Sequence, residues 1–174
     1  MWRILKQIAK TGVRTEPAPA GNDDWRVERA EPENIHADLL AILGRALTIR
    51  LVDAGSCNGC ELEINALTNP YYNIEGLGIK FVASPRHADM LLVTGPVTRN
   101  MENALRIAYD CTPDPKLVVA VGDCGCDGGV FGESYASCGA IENVVGVDVR
   151  IPGCPPTPLA LMQGILAAIG KRLP

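Results

Sequence analysis

The sequence predicts an α/β domain built on a mainly parallel, doubly wound sheet, and three observations carry that expectation. Five apolar runs of strand length recur beyond residue 45, at Leu47–Val52, Ile79–Ala83, Met90–Thr94, Leu117–Val121 and Val147–Ile151. They are continuous rather than alternating in polarity, as strands covered on both faces are. Segments of helical pattern stand between them, and regular alternation of strand and helix builds a parallel sheet. The expected arrangement is flavodoxin-like, with the chemistry at the carboxyl ends of the strands.

Taken in order, residues 1–14 place Trp2, Leu5, Ile8 and Ala9 on one helical face, with Arg3, Lys6 and Lys10 elsewhere. Such a basic amphipathic segment either lies on a membrane surface or partner subunit, or packs on its own domain. Residues 15–33 are rich in Pro, Ala, Asn, Asp and Glu, with Trp25 as the strong anchor, and read as an extended arm. The expected division is therefore an appendage at 1–34 and an α/β domain at 35–174. Within the domain, helices are expected at Ile35–Leu43, Cys60–Leu67, Arg99–Tyr109, Cys138–Val145 and Leu159–Ile169.

Composition narrows the function. A chain of 174 residues supports one domain with a sizeable core, and 47% hydrophobic content with only 5% aromatic describes an interior of small aliphatic side chains. A net charge of −4 without a basic aromatic surface motif argues against a nucleic-acid partner. Seven cysteines are an odd count for a disulfide framework, and the charges spread through residues 1–14 leave no signal-peptide core. No stretch approaches the roughly 20 apolar residues that span a bilayer. The expectation is a cytoplasmic chain whose reduced cysteines bind metal or carry redox chemistry.

Those cysteines fall where strands end. Cys57 and Cys60, in Gly55-Ser56-Cys57-Asn58-Gly59-Cys60-Glu61-Leu62-Glu63, follow the first run. Cys124 and Cys126 follow Leu117–Val121, and Cys154 follows Val147–Ile151. Three strands thus deliver thiols to one edge of the sheet. Free N–H groups and the helix dipole at a strand-to-helix turn favour anionic sulfur there. Converging thiolates suit zinc or an iron–sulfur cluster. The turn Gly122-Asp123-Cys124-Gly125-Cys126-Asp127-Gly128-Gly129 lets backbone approach closely, as a bulky cluster requires. Pro152, Pro155 and Pro156 stiffen the turn that carries Cys154.

From about Arg45 to Ile169 the sequence resembles the small iron–sulfur subunit of energy-converting [NiFe] hydrogenases, including the formate hydrogenlyase type, which is homologous to the 20 kDa (B) subunit of complex I. The residues that carry the resemblance are Gly55–Glu63, Pro85–Thr98, Val121–Cys124 with Gly128 and Gly129, and Val147–Pro158. It implies one [4Fe-4S] cluster held by Cys57, Cys60, Cys124 and Cys154, with no catalytic residue on this chain. Complex I has adjacent cysteines at the first two ligand positions, whereas Asn58 and Gly59 separate them here, as in the hydrogenase branch. Two departures stand out: Cys126 competes with Cys124 by spacing, and Gly146 stands where relatives usually carry proline.

The implied function is electron transfer beside the catalytic centre of a membrane-associated oxidoreductase complex. The implied partners are a hydrogenase large subunit or a complex I 49 kDa-like subunit, a ferredoxin-like iron–sulfur subunit and membrane subunits, on the cytoplasmic face of the inner membrane. The alternative is a complex I B subunit passing electrons to quinone. Glu61 and Glu63 are read as helix-dipole partners, with an interface or proton role as the rival. Asp123 and Asp127 are read as turn caps, Arg86 and His87 as part of a partner-facing motif, Cys138 as a further thiol near the site and Cys111 as a bystander. A structural zinc site and a Cys57–Cys60 dithiol oxidoreductase are the competing classes.

Overall fold

A computed structural model describes residues 45–170 of the chain, together with Trp2, Lys6 and Lys10, which are helical and exposed. The expected arm and the 35–43 helix lie outside the described residues, as does most of the amphipathic segment. The chain divides into two units, Met1–Ala30 and Glu31–Pro174, and the sheet with all its helices belongs to the second.

Five strands form one sheet: β1 (Leu47–Asp53), β2 (Ile79–Phe81), β3 (Met90–Thr94), β4 (Leu117–Val121) and β5 (Val149–Ile151). Their order is β2-β1-β3-β4-β5 and every pairing is parallel. This is the flavodoxin-like order, whose topological switch point lies between β1 and β3. Among the described residues from 45 onward, four helices accompany the sheet: α1 (Gly59–Ala66), α2 (Arg99–Cys111), α3 (Gly122–Asp127) and α4 (Pro158–Gly170). Among the described residues no helix is long and apolar enough to cross a membrane.

Successive side chains of a strand point to opposite faces, so a continuous apolar run feeds two cores. Met90 and Leu92 of β3 join Leu47, Ile49 and Val119 against Ile64 of α1 and Leu161 and Ile165 of α4. Leu91 and Val93 join Val118 and Ala120 on the other face, against Leu105 of α2 and Ile141, Val144 and Val145. Full burial of one such side chain stabilises the fold by about 1.5–3 kcal/mol.

One expected helix is absent. Residues 138–145 contain only a short 3-10 turn, Ile141–Asn143. The apolar spacing that suggested a helix instead lays Ile141, Val144 and Val145 on the second core. The start of the segment is committed elsewhere: Cys138 N–H donates to the Val97 carbonyl (2.7 Å) and Val97 N–H to the Gly139 carbonyl (2.9 Å). Backbone groups paired across the chain cannot also form helical bonds. β5 starts two residues later than expected, because Asp148 ends the approach: its carboxylate accepts from Val118 N–H at 2.7 Å. β2 stops short of the expected Ala83.

Candidate metal centre

At the carboxyl edge of the sheet, an open hollow is lined by Ser56, Cys57, Gly59 and Cys60 after β1, Gly95 after β3, Asp123 and Cys124 after β4, and Gly153, Cys154 and Pro155 after β5. The structure therefore brings together the four cysteines that the family resemblance implies as ligands. Cys57 and Cys154 are exposed, while Cys60 and Cys124 are half-buried. Among the described residues, no three or more ligating side chains lie close enough to hold a single metal ion. All four cysteines line the one hollow.

The β1–α1 turn is shaped by short polar bonds. The Asp53 carboxylate accepts from the N–H groups of Gly55 and Ser56, both at 2.8 Å. Asn58 then takes a left-handed conformation at φ 70° as the first cap of α1, which asparagine tolerates better than most residues. These bonds fix Cys57 before α1 begins and Cys60 in its first turn.

Two glycines keep the hollow open. At Gly122, with φ +79°, an added Cβ would stand 2.6 Å from Cys60 Sγ. At Gly95, with φ +75°, it would stand 2.5 Å from the backbone nitrogen of Ser56. Only a residue without a side chain fits either place.

Asp123 does something the sequence did not disclose. Its carboxylate accepts from Gly153 N–H at 2.6 Å, and its own N–H donates to the Gly153 carbonyl at 2.9 Å. It therefore links α3 to the loop after β5 rather than capping its own turn. The expected capping role belongs to Asp127, whose carboxylate accepts from Gly129 N–H at 2.8 Å. The available signal was that Cys124 and Cys154 each stand three residues beyond the end of their strand.

At Cys60 and Cys124 protonation departs from the expectation of ready thiolates. Burial pushes Cys60 up to about 12, with Glu61 and then the three other thiols of the hollow adding to the shift. Burial also raises Cys124, followed by Cys154, Cys57, Asp123 and Asp127. Desolvation and like charge outweigh the helix terminus. A bound cation reverses that balance by supplying the missing positive charge.

The other candidates separate cleanly. Cys126 is absent from the lining; it packs against the second core and its thiol donates to the Ala120 carbonyl at 3.8 Å. This resolves the choice of thiol facing the hollow in favour of Cys124. Cys138 is buried, donating to Glu102 Oε2 at 3.4 Å. Cys111 ends α2 away from the lining. Arg86 and His87 form an exposed turn just before β3, so they stand at the amino end of the sheet, opposite the thiols. Glu61 lies in the first turn of α1, as a dipole partner would. It is nonetheless buried, and neither carboxylate oxygen has a hydrogen-bond partner among the described residues; Glu63 is half-buried.

Fold and hollow together define a class: doubly wound parallel α/β proteins with a sulfur donor set at the topological switch point, the kind of donor set that soft metals take. The chain belongs to the NADH ubiquinone oxidoreductase 20 kDa subunit family, which it matches over residues 57–168. It is 45% identical over 144 residues to a probable membrane-bound hydrogenase subunit of Pyrococcus furiosus, covering 83% of this chain and 86% of that one. It is 47% identical over 137 residues to formate hydrogenlyase subunit 7 of Escherichia coli, covering 79% of this chain but only 54% of that longer protein. A chain in the solved structure of the membrane-bound sulfane sulfur reductase, an archaeal respiratory membrane complex, superposes with a TM-score of 0.64 at 33% identity, covering 82% of this chain and 77% of that one.

Proposed function

We propose that this chain is the electron-transfer subunit of a membrane-associated [NiFe] hydrogenase complex of the formate hydrogenlyase type, and that Cys57, Cys60, Cys124 and Cys154 hold one [4Fe-4S] cluster. The single observation that carries the reading is the convergence of these four thiols, delivered by three strand ends, on one hollow at the switch point of the sheet. One C-x-x-C pair joined by two singly placed cysteines, rather than two C-x-x-C knuckles, favours an iron–sulfur cluster over the zinc reading. The use of all four thiols argues against a dithiol site confined to Cys57 and Cys60.

Bound there, the cluster would accept and release one electron at a time. This chain's part is to hold it. Gly122 leaves room beside the Cys60 sulfur and Gly95 beside the Ser56 backbone, Asp53 and Asn58 set the turn that presents Cys57 and Cys60, and Asp123 joins the two remaining ligand segments. The substrate bond is made and broken on a partner, the hydrogenase large subunit. A ferredoxin-like iron–sulfur subunit and membrane subunits complete the assembly on the cytoplasmic face of the inner membrane. Residues 35–174 form the cluster domain in this reading, and residues 1–34 an appendage to it.

The two-residue separation of Cys57 and Cys60 and the hydrogenase names of the similar proteins support the nickel–iron branch. Membership of the complex I 20 kDa family supports the second reading, a B subunit beside a 49 kDa-like subunit that delivers electrons to quinone.

The anaerobically purified chain is expected to be brown and to carry about four irons and four sulfides. Cys154→Ala should lose or convert the cluster, while Cys111→Ala keeps it, as read by iron and sulfide analysis. Equal cluster content in the two variants would sink the ligand assignment; colourless protein holding zinc would sink the cluster itself.

A further inference from the structure

We propose that Asp123 is a positioning residue that sets the distance between the Cys124 and Cys154 thiols, an inference that rests on the cluster reading above. The last paired residues of β4 and β5 are Val121 and Ile151. Cys124 and Cys154 each stand three residues beyond that pair, so the two ligands share one register. The ladder itself cannot carry the register forward. Pro152 has no N–H to donate, and Gly122 turns β4 away through its positive φ of +79°.

Asp123 replaces the lost ladder. Its N–H and carboxylate together take up both backbone groups of Gly153, at 2.9 and 2.6 Å, one residue before each ligand. A charge-assisted bond of this length is roughly twice as strong as a neutral one. It leaves the two loops little freedom to spread. Gly153 is suited to receive it: at φ +133° its amide faces Asp123, and an added Cβ would stand 2.6 Å from Pro156 Cα. Asp123 is also one of the residues that line the hollow. Its negative charge therefore disfavours an added electron there and lowers the potential of the group the thiols hold.

The test uses the full chain, reconstituted anaerobically with iron and sulfide, as wild type, Asp123→Ala and Asp123→Asn. Alanine removes the carboxylate half of the clasp and the charge, leaving the backbone bond to the Gly153 carbonyl; asparagine keeps an acceptor oxygen but no charge. Asp123→Ala should lose most of its iron and sulfide and show a changed electron paramagnetic resonance spectrum. Asp123→Asn should regain wild-type iron content and spectral shape, with its midpoint potential shifted upward. Amide exchange at Gly153 in the cluster-free chain reads the clasp alone: fast in the alanine variant, slow in the other two proteins. Wild-type iron, spectrum and Gly153 exchange in Asp123→Ala would overturn the proposal. Should the alanine variant not fold, loss of iron from a folded Asp123→Asn would overturn it equally. A wild-type chain that takes up no iron would overturn the cluster assignment and the positioning role together. A loaded wild type with an indifferent Asp123→Ala would overturn the positioning role alone.

Discussion

In the body of the sheet Leu91, Leu92, Val93 and Val119 are fully buried, whereas a few residues further along the same strands the chain runs into Gly95, Gly122 and Gly153, all at positive φ. The body is stabilised by filling space, and the carboxyl edge works by leaving space empty. A methyl group removed from the body opens a cavity; a methyl group added at the edge strikes a sulfur or the backbone. The difference teaches that stability and ligand geometry in this fold are separable, because they depend on opposite changes in side-chain volume a few residues apart.

Leu92→Ala should break that separation from the body outward and produce the largest effect. Truncating a fully buried leucine costs about 2–5 kcal/mol, so the urea midpoint should fall steeply, and cluster content should fall only with the folded fraction. Gly122→Ala attacks from the edge. Overpacking costs about 1–3 kcal/mol, and the added Cβ would meet Cys60 Sγ. Iron content should drop while far-ultraviolet circular dichroism stays native. Unchanged iron in Gly122→Ala would remove the contrast between the two regions.

Cys126→Ala sharpens the boundary between them. Its side chain belongs to the core although its sequence position belongs to the ligand turn. The variant should keep full iron content with a modest loss of stability, in contrast to Cys124→Ala.

The smallest effect is expected on α2, outside the hollow. Arg106 holds the Glu102 carboxyl below its ordinary value of 4.5, first through a side-chain hydrogen bond, with Cys138 adding a second. A carboxyl whose folded value is lowered stabilises the protein above its unfolded value and loses that contribution as pH falls through the folded one. Stability should therefore decline on acidification below about 4.5. Glu102→Gln should flatten that part of the curve without touching iron content, as read by urea midpoints across pH.

The parallel strands were legible because continuous runs such as Leu117–Val121 have no other economical home. The thiol edge was legible for a related reason: in a parallel sheet, residues following different strands meet at the same end. Periodicity misled at residues 138–145, where Ile141, Val144 and Val145 keep helical spacing while their neighbours' backbone bonds to Val97. A spacing rule reads which face is apolar and says nothing about where a carbonyl finds its donor. Cys124 and Cys126 likewise could not be told apart by spacing, since the choice depends on how far α3 rotates its side chains after β4.

By itself the sequence determined the strand set, the edge that carries the sulfurs and the family to which the chain belongs, because apolar burial and strand direction follow from residue type and order. Only the tertiary structure decided which of two neighbouring thiols faces the hollow, that Glu61 is buried without a hydrogen-bond partner among the described residues, and that Asp123 reaches Gly153. Those facts depend on the relative placement of loops that are thirty residues apart in the chain, and local residue preferences carry no information about such long-range contacts.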